Sequence, residues 1–256
     1  MVTPHERVKR VTVAAEVEET PLMGGRVRLL QPVDGYRAGM DAALLAAAVS
    51  ARSGETVLEA GCGAGAVLCQ TGVRRPGVRM LGVERDPDMA ALAAANIRLN
   101  ALDGEVLTAD VADGFAALDR PRADWAVSNP PFFDNPAALR APGPGKRAAW
   151  MADDGLAAWT DFLLTGVRDG GSILMIHRAD RLADLLALLG RKAGSFRVLP
   201  VHPYTDRPAK RVLIKAVRLG KAPLVLLPPL VLHEEGAKHT AHADAILRGE
   251  AALDVG

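Results

Sequence analysis

The stretch Thr56-Val57-Leu58-Glu59-Ala60-Gly61-Cys62-Gly63-Ala64-Gly65 decides the fold. A short apolar run, Thr56 to Glu59, stops at glycines, and the segment from about Gly65 to Val73 suits a helix. The next apolar run, Arg79 to Glu84, ends on an acid. Strand, glycine turn, helix and strand in that order form a βαβ unit. Glycines at such a turn let the backbone bend tightly and approach a ligand closely. A carboxylate closing the second strand, here Glu84, can accept hydrogen bonds from ribose hydroxyls.

The alternation continues downstream. Asp86-Pro87 opens a helix reaching about Leu102, since Asp caps and Pro is tolerated in the first turn. Glu105–Ala109 and Ala123–Ser128 read as the third and fourth strands, and a Pro/Gly-rich loop runs from Asp134 to about Asp154. Leu156–Val167 reads as a helix, Gly171–His177 as a strand and Ala179–Leu189 as a helix. Ser195–Val201 and Arg211–Arg218 are the last two strands. Only Pro203 to Lys210 separate them, too few for a parallel crossover, so they should pair antiparallel. The expected fold is α/β and Rossmann-like, a seven-stranded, mostly parallel sheet with its last strand antiparallel. Upstream, Asp41–Val49 reads as a helix lying over the cofactor mouth. Residues 1–50 are thus expected to be an N-terminal extension or lid, and residues 51–256 the main domain.

Composition excludes several classes. Of 256 residues, 49% are apolar and 24% charged, which is ordinary globular composition and not disorder. A net charge of +1 argues against a globally basic, histone-like protein. Cys62 and Cys69 fit neither a CxxC pair nor a zinc pattern and suggest a reducing compartment. The apolar stretch Val11 to Ala15 is too short for a signal peptide, and the run from Ala222 to Leu232 holds Pro223, Pro228 and Pro229. The expectation is a cytoplasmic protein without membrane span or metal, with nothing demanding more than a monomer.

The glycine turn alone leaves its cofactor open, because Gly61, Gly63 and Ala66 also satisfy the relaxed dinucleotide pattern GxGxxA. A nicotinamide or flavin competes with S-adenosylmethionine (SAM). Glu59, just before the glycines, favours SAM, since its carboxylate can receive a cationic amino group. Asp110, after the third strand, favours SAM too, by accepting an adenine amino group, although it can also cap a turn.

At the end of the fourth strand stands Ser128-Asn129-Pro130-Pro131-Phe132-Phe133. Ligands of open parallel sheets bind beyond the carboxyl ends of the strands, so Asn129 points at the mouth. Pro131 fixes its own φ and restricts Pro130, which stiffens the turn. Two aromatics follow in a chain with only five phenylalanines and two tyrosines. This set suits methylation of a planar amine. The Asn129 side-chain oxygen and the Pro130 carbonyl can hold both amino hydrogens, drawing the nitrogen toward a tetrahedral shape. Phe132, or Phe133, can stack on the target base.

These motifs resemble the amino-methyltransferases of the Rossmann-like, class I, SAM-dependent group, whose motif is (D/N/S)PP(Y/F). The segment from Gln31 through Gly35-Tyr36-Arg37 to Asp41 and Leu45 resembles the opening of the bacterial tRNA adenine-N6-methyltransferases. Those enzymes modify the adenine beside the anticodon of valine tRNA. Arg207-Pro208-Ala209-Lys210-Arg211 and the tail from Leu232 through His239-Thr240 to Leu247 resemble the same family, which usually has Tyr-Thr in place of His239-Thr240. The resemblance implies SAM as cofactor, a tRNA partner, and Tyr36 and Asp41 on the cofactor side. Asp41 can equally cap its helix. Guanine-N2 methylation of rRNA uses the same Asn-Pro-Pro-Phe form, and protein glutamine methylation uses a Tyr version. An NAD-dependent oxidoreductase accounts for the glycines and Glu84 but leaves Asn129 to Phe132 unexplained.

Charge is unevenly spread. From Arg197 to Lys221 stand seven basic residues (Arg197, Arg207, Lys210, Arg211, Lys215, Arg218 and Lys221) against the single acid Asp206. RNA binding needs such a phosphate footprint. Arg207, Lys210 and Arg211 are the expected substrate contacts, joined by Lys146 and Arg147, with Tyr204 and Trp150 as stacking candidates. Lys215 and Arg218 read as charges guarding an edge strand, and His177 as structural.

Overall fold

The computed structural model describes residues 16–33, 37–131 and 155–256. Five strands run parallel: β3 (Thr56–Ala60), β4 (Arg79–Glu84), β5 (Gly104–Thr108), β6 (Ala123–Ser128) and β7 (Val167–Arg178). β8 (Ala193–His202) and β9 (Arg211–Arg218) complete the core. β9 lies antiparallel between β7 and β8, so the expected antiparallel pair forms, but as an insertion inside the sheet. Two further strands, β10 (Val225–Leu226) and β11 (Leu230–Val231), pair parallel with the outer side of β8, giving this sheet nine strands among the described residues. β9 is therefore no edge strand, which corrects the expected role of Lys215 and Arg218. Lys215 lies over the Trp125 ring at 5.2 Å. Arg218 donates to Asp169 at 2.6 Å.

The central strands are apolar on both faces, as a parallel sheet covered twice requires. Val57, Val127, Leu174 and Leu213 face one layer, formed by α1 (Met40–Ala48), α2 (Ala66–Arg74), α3 (Pro87–Leu99) and α6 (Ala241–Leu247). Leu58, Ala126, Ile173 and Ile214 face the other, formed by α4 (Leu156–Gly166), α5 (Leu182–Leu189) and short 3-10 turns around Val111 and Phe115. Asp86 caps α3 by accepting from Asp88 N–H at 3.0 Å, and Pro87 follows as the first helical residue.

The expected lid helix is part of the core. Ala42 to Ala48 of α1 are all buried, and the helix packs on α2, α6 and β7. Its Ala-rich surface explains this, since small side chains let it approach the sheet from a full face. Ahead of α1 stands a hairpin absent from the sequence reading, β1 (Val17–Leu22) with β2 (Val27–Pro32). Val27, Leu29 and Gln31 point inward. Buried Gln31 donates to the Thr20 hydroxyl at 2.7 Å and accepts from Ala38 N–H at 3.1 Å.

Side chains of α3 pair with β2 as a strand would. Asn96 accepts from Leu30 N–H at 2.8 Å and donates to the Leu30 carbonyl at 2.7 Å. Asn100, one turn on, repeats the exchange with Arg28 at 2.9 and 2.7 Å. Primary amides carry both donor and acceptor, so two of them at i, i+4 satisfy an otherwise unpaired strand edge.

Candidate functional site

The site lies at the carboxyl ends of β3, β4 and β6. Gly61, Gly63 and Gly65 all have positive φ, at +67°, +52° and +82°. The turn is pinned by Gly61 N–H to the Val83 carbonyl at 2.8 Å and Gly65 N–H to the Cys62 carbonyl at 2.8 Å. Space explains two glycines differently. A Cβ on Gly61 would stand 2.2 Å from the Trp159 ring, whereas one on Gly63 meets nothing within 4 Å. Gly61 is a packing glycine, and Gly63 opens the cradle.

Glu84 closes β4 beside this turn. Its Oε2 accepts from Gly63 N–H at 3.0 Å and its Oε1 from Asp86 N–H at 2.9 Å. Each carboxylate oxygen carries two lone pairs, so acceptor capacity remains for ligand hydroxyls. Asp110 Oδ1 accepts from Ala112 N–H at 2.9 Å, so Asp110 does cap a turn after β5. Asn96 also donates to the Ala64 carbonyl at 2.8 Å, tying the glycine turn to α3 and through it to the hairpin.

Glu59 is buried beneath the turn, at 2% exposure. It accepts from the Leu68 N–H in the first turn of α2, while its Oε2 has no hydrogen-bond partner among the described residues. Burial, with Glu84 nearby, pushes its carboxyl well above the usual carboxylate range. Burial and the same two carboxylates push the Cys62 thiol up, and burial raises Cys69 to about 12. Both thiols are thus neutral and unsuited to nucleophilic work.

Asn129 follows β6 directly. The Ser128 hydroxyl donates to the Ala60 carbonyl at 3.0 Å, so the ends of β6 and β3 are joined and Asn129 stands beside Gly61. Pro130 is buried and Pro131 exposed. Tyr36, Phe132, Phe133, Lys146, Arg147 and Trp150 lie outside the described residues.

Asp41 and Arg211, expected on the cofactor and substrate sides respectively, meet each other. Arg211 Nε donates to Asp41 Oδ2 at 2.9 Å, joining the first turn of α1 to the start of β9. Asp41 is not the cap of α1, whose N-cap is Gly39. His177, near the end of β7, is 2% exposed. Burial and the Arg181 and Arg211 cations lower its pKa to about 4. The imidazole is neutral at physiological pH.

The basic run divides by strand direction. β9 starts at the mouth with Arg211 and ends at the far side of the sheet with Arg218. Tyr204, Arg207 and Lys210 sit in the loop between β8 and β9, at the mouth end, and all three are exposed. Arg178, the last residue of β7, and Arg181, just after it, stand at the same end and escaped the sequence reading because they fall outside the basic run. Among the described residues no cluster of three His, Cys, Asp or Glu could hold a metal, and no helix is long and apolar enough to cross a membrane.

The α/β fold with its mostly parallel central sheet is the Rossmann-like fold of the class I methyltransferases. Residues 37–141 match the family model described as Methyltransferase small domain. The chain is similar to the ribosomal RNA small subunit methyltransferase C of Cronobacter sakazakii, at 32% identity over 101 residues, 40% of this chain and 28% of that protein. It is similar to the release factor glutamine methyltransferase of Salmonella typhimurium, at 29% identity over 128 residues, 47% of this chain and 46% of that protein. The chain spans less than half the length of these curated relatives. The crystal structure of protein Atu636 from Agrobacterium tumefaciens, described as a predicted O-methyltransferase, superposes with a TM-score of 0.69. It is 25% identical, and the match covers 84% of this chain and 98% of that one.

Proposed function

We propose that this protein transfers the methyl group of SAM to the exocyclic N6 amine of an adenine in tRNA. The observation that carries methyl transfer to a planar nitrogen is Asn129-Pro130-Pro131 at the carboxyl end of β6, beside the glycine turn, with Phe132 next in sequence. SAM, when bound, supplies an electrophilic methyl group on a sulfonium. Three features fit SAM to this cradle. Gly63 leaves open space, the Glu84 oxygens keep acceptor capacity for ribose hydroxyls, and Glu59 Oε2 is a buried acceptor without a partner that a cationic amine satisfies. Asp110 is assigned to the adenine amino group, and Tyr36 and Asp41 to the cofactor side.

In this reading the Asn129 side-chain oxygen and the Pro130 carbonyl accept the two hydrogens of the target amine. That frees the nitrogen lone pair from the ring. No strong base is required, because the nitrogen becomes acidic as it is methylated. Phe132 or Phe133 stacks on the flipped base. Arg207, Lys210, Lys146 and Arg147 take phosphates. Arg211 acts first through Asp41.

A second reading, guanine-N2 methylation of rRNA, is favoured by the Cronobacter relative, which is named for ribosomal RNA. Labelled SAM incubated with bacterial tRNA, rRNA and protein fractions, followed by nucleoside analysis, separates the readings. The expected product is N6-methyladenosine in tRNA. N2-methylguanosine in rRNA establishes the second reading, and label in protein alone refutes both.

A further inference from the structure

Two loops meet at the mouth end of the sheet beyond Asn129. One follows β8, and the other follows β11, its parallel neighbour. Both are closed by the same device, an imidazole bonded to the carbonyl five residues on. His202 Nδ1 lies 2.7 Å from the Arg207 carbonyl, and His233 Nδ1 pairs with the Lys238 carbonyl. A carbonyl can only accept, so in both rings Nδ1 carries the hydrogen. The loops are also tied together, by Leu232 N–H to the His202 carbonyl and His233 N–H to the Pro203 carbonyl, each at 2.9 Å.

This pair of loops brings three rings together. His233 stacks on His239 with centroids 5.2 Å apart and planes at 27°. Tyr204 covers His233 at 5.4 Å and 46°, and is itself 44% exposed. An exposed aromatic backed by two further rings is not required to close the core. Three strand spacings of ~4.8 Å separate β8 from β6, which places Tyr204 about 14 Å from Asn129 along the sheet. Arg207, Asp206, Glu234 and Glu235 line a cleft beside the Tyr204 ring. Arg207 Nε lies 3.6 Å from Asp206 Oδ2, so Glu234 and Glu235 are the carboxylates left to accept from amino groups.

We propose that Tyr204, His233 and His239 form a second base platform, which stacks an unpaired nucleobase of the RNA away from the base being methylated. This rests on the RNA reading above. The carboxylates of the cleft face the edge of that base and select one bearing an exocyclic amine. Stacking on a ring is tolerant of base identity, so the platform contributes affinity and the cleft contributes preference.

The test is filter binding of labelled total bacterial tRNA and of rRNA to wild type, Tyr204→Leu, Tyr204→Phe and His233→Leu, with SAM affinity and Tm measured in parallel. Tyr204→Leu should weaken RNA binding roughly 10- to 100-fold, Tyr204→Phe should retain it, and His233→Leu should fall between. Lys221→Ala, on the far side of the sheet, should leave binding unaltered. SAM affinity and Tm should hold in Tyr204→Leu, separating lost stacking from lost folding. Equal RNA affinity of wild type and Tyr204→Leu overturns the platform alone. Failure of the wild type to bind tRNA or rRNA overturns the RNA reading and the platform with it.

Discussion

Alanine at Gly61 and at Gly63 should fail for opposite reasons. Both residues have positive φ, so a Cβ at either costs about 1–2 kcal/mol of backbone strain. At Gly61 the new methyl also stands 2.2 and 2.6 Å from two carbons of the Trp159 ring. Trp159 is buried, so the ring cannot swing to solvent, and overpacking adds about 1–3 kcal/mol. At Gly63 nothing lies within 4 Å, and that second cost is absent. For a chain of this length each kcal/mol moves Tm by ~2–4 °C. The Gly61→Ala protein should therefore melt about 2–12 °C below Gly63→Ala. Cofactor affinity should rank them the other way relative to stability. Gly63→Ala stays folded but places its methyl in the cradle, and SAM binding by calorimetry should fall more than tenfold, about 1.4 kcal/mol or more. Wild-type SAM affinity in Gly63→Ala would refute the placement of the cofactor over this turn. Equal melting temperatures would refute the division of labour between the two glycines.

Asn129→Ala should keep SAM affinity and lose ~10²–10³ in methyl-transfer rate, the loss typical of a removed transition-state hydrogen-bonding group. A fully active variant sinks the amine-holding role. Double-mutant analysis of Asp41→Ala and Arg211→Ala by urea unfolding should give a coupling of about 1–2 kcal/mol, since the pair is mostly shielded from solvent. Additive losses would mean that the contact does not hold α1 to β9. His177 titrates near 4 folded against ~6.5 unfolded, so the unfolded chain binds the extra proton between those values. Stability should fall as pH drops through that window, by up to about 3 kcal/mol, and His177→Gln should flatten the slope in urea midpoints. Arg207→Glu should weaken RNA binding and flatten its salt dependence, as expected when one phosphate contact is lost.

The core strands and the glycine turn were legible because each is short, local and bounded by glycine or acid. Continuous apolar runs such as Val57-Leu58 or Ile173-Leu174 announce strands buried on both faces. The hairpin was harder to see. Gln31 occupies an inward position where a pattern of apolar residues is sought, and its burial is offset only by Thr20 and Ala38. β10 and β11 have two residues each, too few for any periodicity. In the site, Glu59, Glu84 and Asn129 announce themselves by position relative to strand ends. The Asp41–Arg211 pair could not, since 170 residues separate its members. The basic run misled for a related reason. Neighbours along β9 reach opposite ends of the sheet, so charge summed along the chain overstated the charge at the mouth.

The inverted strand β9 has a further consequence for how new specificities can be built on this scaffold. The chain reaches the mouth after β8, descends along β9 and is returned to the mouth by β11. Both visits use short loops whose ends are hydrogen-bonded to each other. The glycine turn, in the first half of the chain, shares no residue with either loop. The two loops therefore form an exchangeable module. Under the proposed function, substituting them should change the preferred target while the residues assigned to SAM keep their places.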